Sequence, residues 1–317
     1  MTEMRFDEQV AVITGAGRGL GREYAMLLAA RGARVVVNDF GGSVTGDGSG
    51  RRPAAATALE INQQGGQAIA DSHSVAAPKG GQAIIDAALD AWGRVDIVVN
   101  NAGTVDDSPF ENMTEDRLSP LIDVHLKGAF FVTRPAWKVM RERGYGRVVN
   151  TCSAAGLLGA QRMANYGSAK TGLIGLTRIL AAESAGFDIK VNAIAPIAAT
   201  RMLDYSMGGL ADPAAVAAAE DVMRPFLDRL APGLVAPVVA FLAHADCPVS
   251  GEIYTVGAGH VAQFFIGRTQ GYYHPNLSVE DVRTHLGEIR DRTGYTVPAG
   301  SGDEMAELYQ AIMASGG

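Results

Sequence analysis

Residues 10–21 read VAVITGAGRGLG, an apolar run that leads into a glycine-rich loop. The apolar start is typical of a buried strand, and a helical pattern follows at about residues 19–31. In the loop, Gly15, Gly19 and Gly21 would let backbone amides approach a pyrophosphate at the positive N-terminus of that helix. The stretch therefore predicts a strand, a loop and a helix that together bind a dinucleotide.

The glycine spacing of this loop is Gly-xxx-Gly-x-Gly and not Gly-x-Gly-x-x-Gly, because Leu20 and Arg22 stand where the third glycine would be needed. A glycine-rich turn by itself also fits a tight strand–helix connection without a ligand. The position after the first strand, with an acid about twenty residues beyond Gly19, favours the dinucleotide site. Arg18 and Leu20 are included among the candidate cofactor-binding residues.

The acid is Asp39, at the end of the second predicted strand. A carboxylate at this place accepts hydrogen bonds from the adenosine ribose and repels a 2′-phosphate, so we predict NAD as the cofactor rather than NADP. Arg18 could reach a 2′-phosphate, but the charge conflict at Asp39 outweighs this contact. The alternative interpretation is that Asp39 is an exposed turn residue without a ligand.

Apolar runs of strand length alternate with helical patterns over the first 260 residues. Near-continuous apolar strands separated by helices are typical of a parallel sheet covered on both faces. We therefore predict a doubly wound, Rossmann-like α/β fold. The predicted strands lie at 10–13, 34–37, 67–70, 95–99, 147–150, 189–192 and, as the last strand, 252–256. The predicted helices lie near 19–31, 53–64, 80–92 and 114–141, with a further helix around Tyr166.

A C-terminal helical extension, residues 261–317, follows the predicted dinucleotide-binding domain of residues 1–260. In the extension, Ser278-x-x-Asp281 predicts a helix cap. Because apolar stripes at helical spacing need a surface to cover, we expect the extension to pack on the core or on a neighbouring subunit. The two stripes consist of Val282, Leu286 and Ile289 and of Met305, Leu308 and Ile312. A separate stretch at 200–224, rich in Met, Ala and Gly, is expected to form a helical lid.

The composition excludes several classes of function. The 317 residues are 47% hydrophobic and carry a formal charge of −7, which argues against a nucleic-acid partner and its basic surface. Apolar runs stay well below the ~20 residues that span a bilayer, and the start of the chain lacks the layout of a signal peptide. Two cysteines, Cys152 and Cys247, fit a reducing, cytoplasmic compartment, and six histidines without ligand spacing predict no metal site.

Tyr166 and Lys170 carry the clearest chemical signal. On a helix, positions i and i+4 share a face, so the ammonium of Lys170 is expected beside the phenol, where it lowers the pKa of Tyr166 towards that of a general base. Ser153 follows the strand before this helix and can hydrogen-bond the same substrate oxygen. The three residues predict a device that moves a proton on or off a hydroxyl or carbonyl group. Tyr-x-x-x-Lys alone also occurs by chance in long chains.

The stretch Asn100–Gly103 follows the fourth predicted strand. Small residues and amides at the carboxyl edge of a parallel sheet are where a cofactor would lie, which makes Asn101, Ala102 and Gly103 candidate cofactor-binding residues. An ordinary turn of the Asn-Gly type would look similar, so the motif supports the dinucleotide site without defining it.

With these motifs in this order, residues 5–260 resemble the short-chain dehydrogenase/reductase family. The resemblance implies that Lys170 also holds the nicotinamide ribose and that Thr200 holds the carboxamide, although Thr200 could instead be a simple helix cap. It further implies that the dinucleotide site is formed by Gly15, Gly19, Gly21 and Asp39. The implied catalytic centre consists of Ser153, Tyr166 and Lys170.

Three positions depart from the family pattern. His125 stands where the family has an asparagine whose main-chain carbonyl binds a water of the proton relay. His125 can offer the same carbonyl, and a core histidine without a catalytic task is the alternative. His73 replaces a common aspartate that contacts adenine, and Ile197 replaces the usual glycine after Pro196.

A closer resemblance is to the (3R)-hydroxyacyl-CoA dehydrogenase subfamily, also known as 17β-hydroxysteroid dehydrogenases of multifunctional enzymes. It is carried by Val37–Gly42, Val124–Gly128, Ala193–Pro196 and Val256–Gly259. It implies a small-molecule acyl-CoA or steroid substrate, and a homodimer or homotetramer whose extension lines the neighbouring active site. The alternatives are a free hydroxysteroid dehydrogenase or an NADPH-dependent 3-ketoacyl reductase. A further alternative, of another class, is a dinucleotide-binding sensor without catalysis. Such proteins tend to lose the tyrosine or the lysine, and both are present here.

Overall fold

The computed structural model describes residues 2–208 and 224–314. The chain divides into two compact units, Met1–Gln263 and Phe264–Gly317. Residues 209–223 lie outside the described part, so the predicted helical lid at 200–224 stays a prediction except for its first helix, Arg201–Gly208.

An eight-stranded sheet organises the fold, in the order β3-β2-β1-β4-β5-β6-β7-β8. The strands from β1 to β7 pair in parallel, which confirms the predicted doubly wound α/β architecture. The strand order reverses between β1 and β4, and this switch point is where open α/β sheets bind ligands. The strands are β1 (Val10–Thr14), β2 (Arg34–Asn38), β3 (Gln67–Asp71), β4 (Ile97–Asn100), β5 (Tyr145–Thr151), β6 (Asp188–Pro196), β7 (Ile253–Gly257) and β8 (His260–Phe264).

Helices connect successive parallel strands in the larger unit. Short 3-10 turns lie at Phe110–Asn112 and Pro232–Leu234. Among the helices of the described ranges, none is long and apolar enough to cross a membrane. The helices are α1 (Gly19–Ala30), α2 (Arg52–Gln63), α3 (Pro78–Trp92), α4 (Glu115–Leu121), α5 (Gly128–Arg143), α6 (Ala154–Leu158), α7 (Ala164–Glu183), α8 (Arg201–Gly208) and α9 (Ala236–Ala243).

The two faces of the sheet bury separate apolar clusters. In β1, Ala11 and Ile13 belong to the cluster that includes α1 residues, whereas Val10 and Val12 belong to the cluster that includes residues of α3 and α5. Successive side chains of a strand point to opposite faces, so burial of both faces makes β1 a continuous apolar run. This double burial is why strand positions could be predicted from apolar runs.

The sheet contains one strand more than predicted. We expected 252–256 to be the last strand, and this prediction is wrong because β8 follows β7 after only two residues. Ala258 and Gly259 both adopt positive φ angles, 51° and 77°. Two such residues form a tight hairpin turn that reverses the chain and adds β8 at the sheet edge. Alanine rarely adopts a positive φ angle, so its presence at position 258 does not predict such a turn.

The predicted long helix at 114–141 is interrupted. The structure has α4, then a π-helical turn at Ile122–Lys127, and then α5. Pro120 lies inside α4 and Pro135 inside α5, and each removes a backbone N–H from the helical hydrogen-bond pattern. The wider π-helical turn changes which residues face the interior, and π-turns of this kind often mark functional sites. His125 lies in this turn and is buried.

The described part of the smaller unit, up to residue 314, contains the helices α10 (Val279–Thr284), α11 (Leu286–Ile289) and α12 (Ser301–Ala314). The predicted cap is confirmed, because Ser278 Oγ accepts a hydrogen bond from Asp281 N at 3.1 Å and Asp281 Oδ2 accepts one from Ser278 N at 2.9 Å. The first predicted stripe is divided between α10 and α11. Packing of the extension on a core or a neighbour stays a prediction.

Candidate active site

A cavity of about 1180 Å³ opens at the carboxyl ends of the central strands. It is formed by the loops after each strand from β1 to β6 together with parts of α7 and α8. The cavity brings together all the predicted site residues except Gly21 and His125, which lie behind its wall. Its predicted lining residues are Gly15, Arg18, Gly19, Leu20, Asp39, Asn101, Ala102, Gly103, Ser153, Tyr166, Lys170 and Thr200.

The glycine loop after β1 is packed against the loop after β4. Gly15 and Gly19 have φ angles of 64° and 52°, the left-handed region that favours glycine. Asn101 Nδ2 donates to the carbonyl oxygens of Thr14 and Gly15 at 3.0 and 3.2 Å, and a Cβ on Gly21 would overlap the Gly15 carbonyl. Gly21 therefore shapes the loop through close packing, while the loop itself provides a cradle that fits a dinucleotide phosphate.

Substitution Gly21→Ala is expected to push the loop away from Asn101, because the added methyl group has no space beside the Gly15 carbonyl. Overpacking of this kind costs about 1–3 kcal/mol. We expect a lower melting temperature and weaker NADH binding, measured by thermal unfolding and fluorescence titration. The control is Gly175→Ala on α7, where no described heavy atom outside the local helix lies within 4 Å of a Cβ. Equal NADH affinity in wild type and Gly21→Ala would contradict the assignment of this loop as the dinucleotide-binding loop.

The Asp39 carboxylate is held by two backbone amides at the cavity wall. Its Oδ2 accepts from Gly17 N at 3.0 Å, and its Oδ1 accepts from Gly41 N at 2.7 Å. Arg18 reaches the same loop and donates to the Gly41 carbonyl at 3.4 Å. Burial lowers the pKa of Arg201, the nearby charge of Arg18 lowers it further, and Asp39 opposes this shift. Two cations therefore act at Asp39, and Arg201 was not predicted because it belongs to no recognised motif.

The glycine-rich loop after β2, residues 41–52, also forms part of the cavity wall, a role that its sequence did not predict. It closes on itself through a hydrogen bond from Gly50 N to the Phe40 carbonyl at 2.9 Å. It also contacts the loop after β4, because Val105 N donates to the Val44 carbonyl at 3.0 Å. Its glycine content directly after the candidate acid was the one signal that could have identified it.

Ser153 and Tyr166 lie together at the cavity. Ser153 caps α6, where its Oγ accepts a hydrogen bond from Ala155 N at 3.2 Å. Burial raises the pKa of Tyr166, and a hydrogen bond with Ser153 acts in the opposite direction. A tyrosine with a raised pKa keeps its proton near neutral pH, so the pair presents hydroxyl groups for a substrate oxygen.

The charge of Lys170 does not outweigh the burial that raises the pKa of Tyr166, contrary to the prediction from the i, i+4 spacing. Its Nζ lies 5.5 Å from the centroid of the Tyr166 ring and donates instead to the Thr151 carbonyl at 2.6 Å. Burial lowers the pKa of Lys170 to about 8. The shared helix face was predicted correctly, but a carbonyl at the end of β5 determines where the ammonium lies.

His125 is packed against the cavity wall from the interior, with only 2% of its surface exposed. Its ring meets the ring of Tyr166 edge to face, with centroids 5.2 Å apart and an interplanar angle of 86°. Burial lowers the pKa of His125 well below its usual value, and the charge of Lys170 lowers it further. His125 is therefore neutral near pH 7.

The three remaining sequence candidates all line the cavity. Thr200 precedes α8, and its carbonyl accepts from Asp204 N at 3.1 Å. His73 Nδ1 lies 2.7 Å from Asp71 Oδ2, so an acid is present next to the position where the expected aspartate is missing. Ile197 is 43% exposed and adds apolar surface to the cavity.

Comparison with known proteins identifies relatives over most of the chain. The family described as short chain dehydrogenase matches residues 9–206. A putative short-chain type dehydrogenase/reductase of Mycobacterium tuberculosis is 43% identical over 289 residues, which are 90% of this chain and 96% of that protein. The peroxisomal hydratase-dehydrogenase-epimerase of Saccharomyces cerevisiae is 39% identical over 294 residues, 92% of this chain and 31% of that protein.

A solved structure, that of the full-length peroxisomal multifunctional enzyme type 2 from Drosophila melanogaster, matches with a TM-score of 0.79 and 31% sequence identity. The match covers 98% of this chain and 50% of the Drosophila chain. The chain thus spans half or less of these two multifunctional proteins. The comparisons confirm the resemblance that the sequence motifs predicted.

Proposed function

Since the chain belongs to the short chain dehydrogenase family, whose members are oxidoreductases that bind nicotinamide dinucleotides, we propose that it interconverts a secondary alcohol and a ketone with NAD. The observation that carries this proposal is that Ser153, Tyr166 and Lys170 line the same cavity as the glycine loop. The cradle of Gly15 and Gly19 fits the phosphates of such a cofactor, because both adopt left-handed backbone conformations.

In the proposed mechanism, Tyr166 exchanges a proton with the substrate oxygen and Ser153 holds that oxygen by a hydrogen bond. The nicotinamide ring supplies the hydride acceptor or donor when it is bound. Because burial raises the pKa of Tyr166, its hydroxyl is ready to donate a proton during ketone reduction. In the oxidation direction the same group has to accept a proton, and Lys170, charged near pH 7 with a pKa of about 8, favours its anionic form.

NAD is proposed over NADP because Asp39 presents a fixed carboxylate to the cavity. A 2′-phosphate at this place would meet that negative charge, whereas a free ribose hydroxyl can donate to it. The charges of Arg18 and Asp39 both act on Arg201, and the two cations would attract a phosphate, so the carboxylate is the group on which the choice depends.

The proposed substrate is a (3R)-hydroxyacyl-CoA, which is oxidised to a 3-ketoacyl-CoA. The proposed substrate class includes acyl-CoA compounds with a steroid-linked acyl group. The name of the yeast relative combines a hydratase with a dehydrogenase, and hydration of a double bond yields an alcohol that a dehydrogenase can oxidise. The cavity has apolar surface for an acyl chain. It is provided by Leu158, Met163, Ile197, Met202 and Leu203.

A homodimer or homotetramer is proposed as the working assembly, and a neighbouring extension would line the active site in it. The compartment stays a prediction as well, since we expect a cytoplasmic protein while the names of the yeast and Drosophila relatives are peroxisomal.

The test measures turnover with NAD and with NADP on 3-hydroxybutyryl-CoA, a steroid acyl-CoA and a free 17β-hydroxysteroid. We expect turnover with NAD and an acyl-CoA. Activity only with NADPH and a free ketosteroid, or with NADPH and an acyl-carrier-protein thioester, would replace both the cofactor and the substrate in this proposal. NADH binding without turnover of any of these compounds would favour the non-catalytic sensor.

A further inference from the structure

The imidazole of His125 lies between the cavity wall at Gly103–Thr104 and the ring of Tyr166. We propose that His125 is a positioning residue that fixes this wall and the Tyr166 ring together, and that its side chain does not carry the proton. The inference rests on the proposed function for the role of Tyr166, and it assigns to the imidazole a task that the main-chain carbonyl of residue 125 cannot perform.

The first contact of the imidazole is with Thr104. Nε2 lies 2.7 Å from the Thr104 carbonyl oxygen and 3.1 Å from Thr104 N. A neutral ring nitrogen is either donor or acceptor, and the shorter distance favours an Nε2–H that donates to the carbonyl. Nδ1 is buried, with no hydrogen-bond partner among the described residues. An unpaired lone pair at Nδ1 is less costly than an unpaired N–H, which supports the same tautomer.

The second contact is with Gly103. A Cβ on Gly103 would overlap Cε1 of His125 and would lie 3.0 Å from Nδ1. The backbone of Gly103 is outside the left-handed region, so an alanine could adopt its conformation. The requirement for glycine at this position therefore comes from the space that the imidazole occupies.

The third contact is with Tyr166, whose ring packs edge to face on the imidazole. Such aromatic pairs contribute specific geometry beyond the burial of apolar area. The preceding residue is also fixed, because Asn165 Nδ2 donates to the carbonyls of Asp106 and Arg117 at 3.0 and 2.9 Å. The Tyr166 ring thus packs on the imidazole, and the residue before it is anchored by hydrogen bonds.

A proton carrier would need different surroundings. The imidazole lies outside the cavity lining, and its burial next to the positive charge of Lys170 opposes protonation near pH 7. The hydrogen bond to Thr104 and the packing on Gly103 also prevent the ring from turning towards the substrate. These contacts explain a histidine at this position by geometry alone.

The test compares wild type, His125→Ala, His125→Gln, Gly103→Ala and the double variant Gly103→Ala/His125→Ala. Each is assayed for reduction of acetoacetyl-CoA with NADH, for NADH binding and for thermal unfolding. Glutamine cannot titrate, but its amide can still donate to the Thr104 carbonyl. We expect His125→Gln to keep kcat within about threefold of wild type, and His125→Ala to lower kcat at least tenfold with the KM for NADH little changed.

The double variant tests the packing. Gly103→Ala is expected to lower both kcat and the melting temperature in wild type and to have no further effect in His125→Ala, since the space is then free. The proposal is overturned if His125→Gln is as inactive as His125→Ala, or if Gly103→Ala costs the same in both backgrounds. The cycle in melting temperature needs no substrate, so it decides the packing even if wild type fails to reduce acetoacetyl-CoA, a failure that would refute the proposed function alone.

Discussion

Substitution Tyr166→Phe is expected to lower kcat by roughly 10²–10⁴-fold, the range that a general acid or base contributes. Phenylalanine keeps the ring that packs on His125 and removes only the hydroxyl that meets Ser153. NADH affinity should therefore stay within about threefold of wild type, and the loss should appear in kcat and in kcat/KM alike. Steady-state reduction of acetoacetyl-CoA and a fluorescence titration with NADH measure the two quantities.

The matched control is Tyr145→Phe. Tyr145 is also partly buried, and its hydroxyl also has a hydrogen-bond partner, Gln9 Nε2 at 3.3 Å. It lies at the first residue of β5, whereas the cavity lies at the other end of this strand. Tyr145→Phe should leave kcat unchanged. Equal turnover by wild type and Tyr166→Phe would refute the proposed mechanism, because another group would then transfer the proton.

The sheet and the outline of the cavity follow from patterns that are local in sequence. In β1 all five residues are buried, so a run of apolar residues was sufficient to place a strand, and the glycine loop directly after it placed the cofactor end of the cavity. Periodicity on α7 was also sufficient to place Tyr166 and Lys170 on one face. These predictions needed no knowledge of how distant segments meet.

The features that were missed depend on contacts between distant segments or on unusual backbone conformations. The direction of the Lys170 ammonium is set by the Thr151 carbonyl, and the packing of His125 on Gly103 joins two loops that no periodicity relates. The π-helical turn at Ile122–Lys127 and the positive φ of Ala258 have no reliable signature in residue type. Sequence patterns therefore identified the candidate reacting groups but not the contacts that orient them.

Substitution Asp39→Asn is expected to shift the ratio of kcat/KM for NAD to kcat/KM for NADP towards NADP by roughly 10- to 100-fold. A charge–charge contact in a partly solvated site is worth about 1–4 kcal/mol, and the variant removes the repulsion between Asp39 and a 2′-phosphate. Arg18 and Arg201 remain beside the site and can then attract that phosphate. Initial rates with each cofactor at a fixed concentration of 3-hydroxybutyryl-CoA give the ratio.

Asparagine also loses one of the two backbone hydrogen bonds that the Asp39 carboxylate accepts, from Gly17 N or from Gly41 N. This loss disturbs the loop for both cofactors, so it largely cancels in the ratio. Asp47→Asn is the matched control, since Asp47 lies in the same glycine-rich loop but outside the cavity lining. Adding Arg18→Gln to Asp39→Asn should remove part of the NADP gain if the guanidinium binds the phosphate. An unchanged ratio in Asp39→Asn would mean that the carboxylate does not face the ribose, and the choice of NAD would then lose its physical basis.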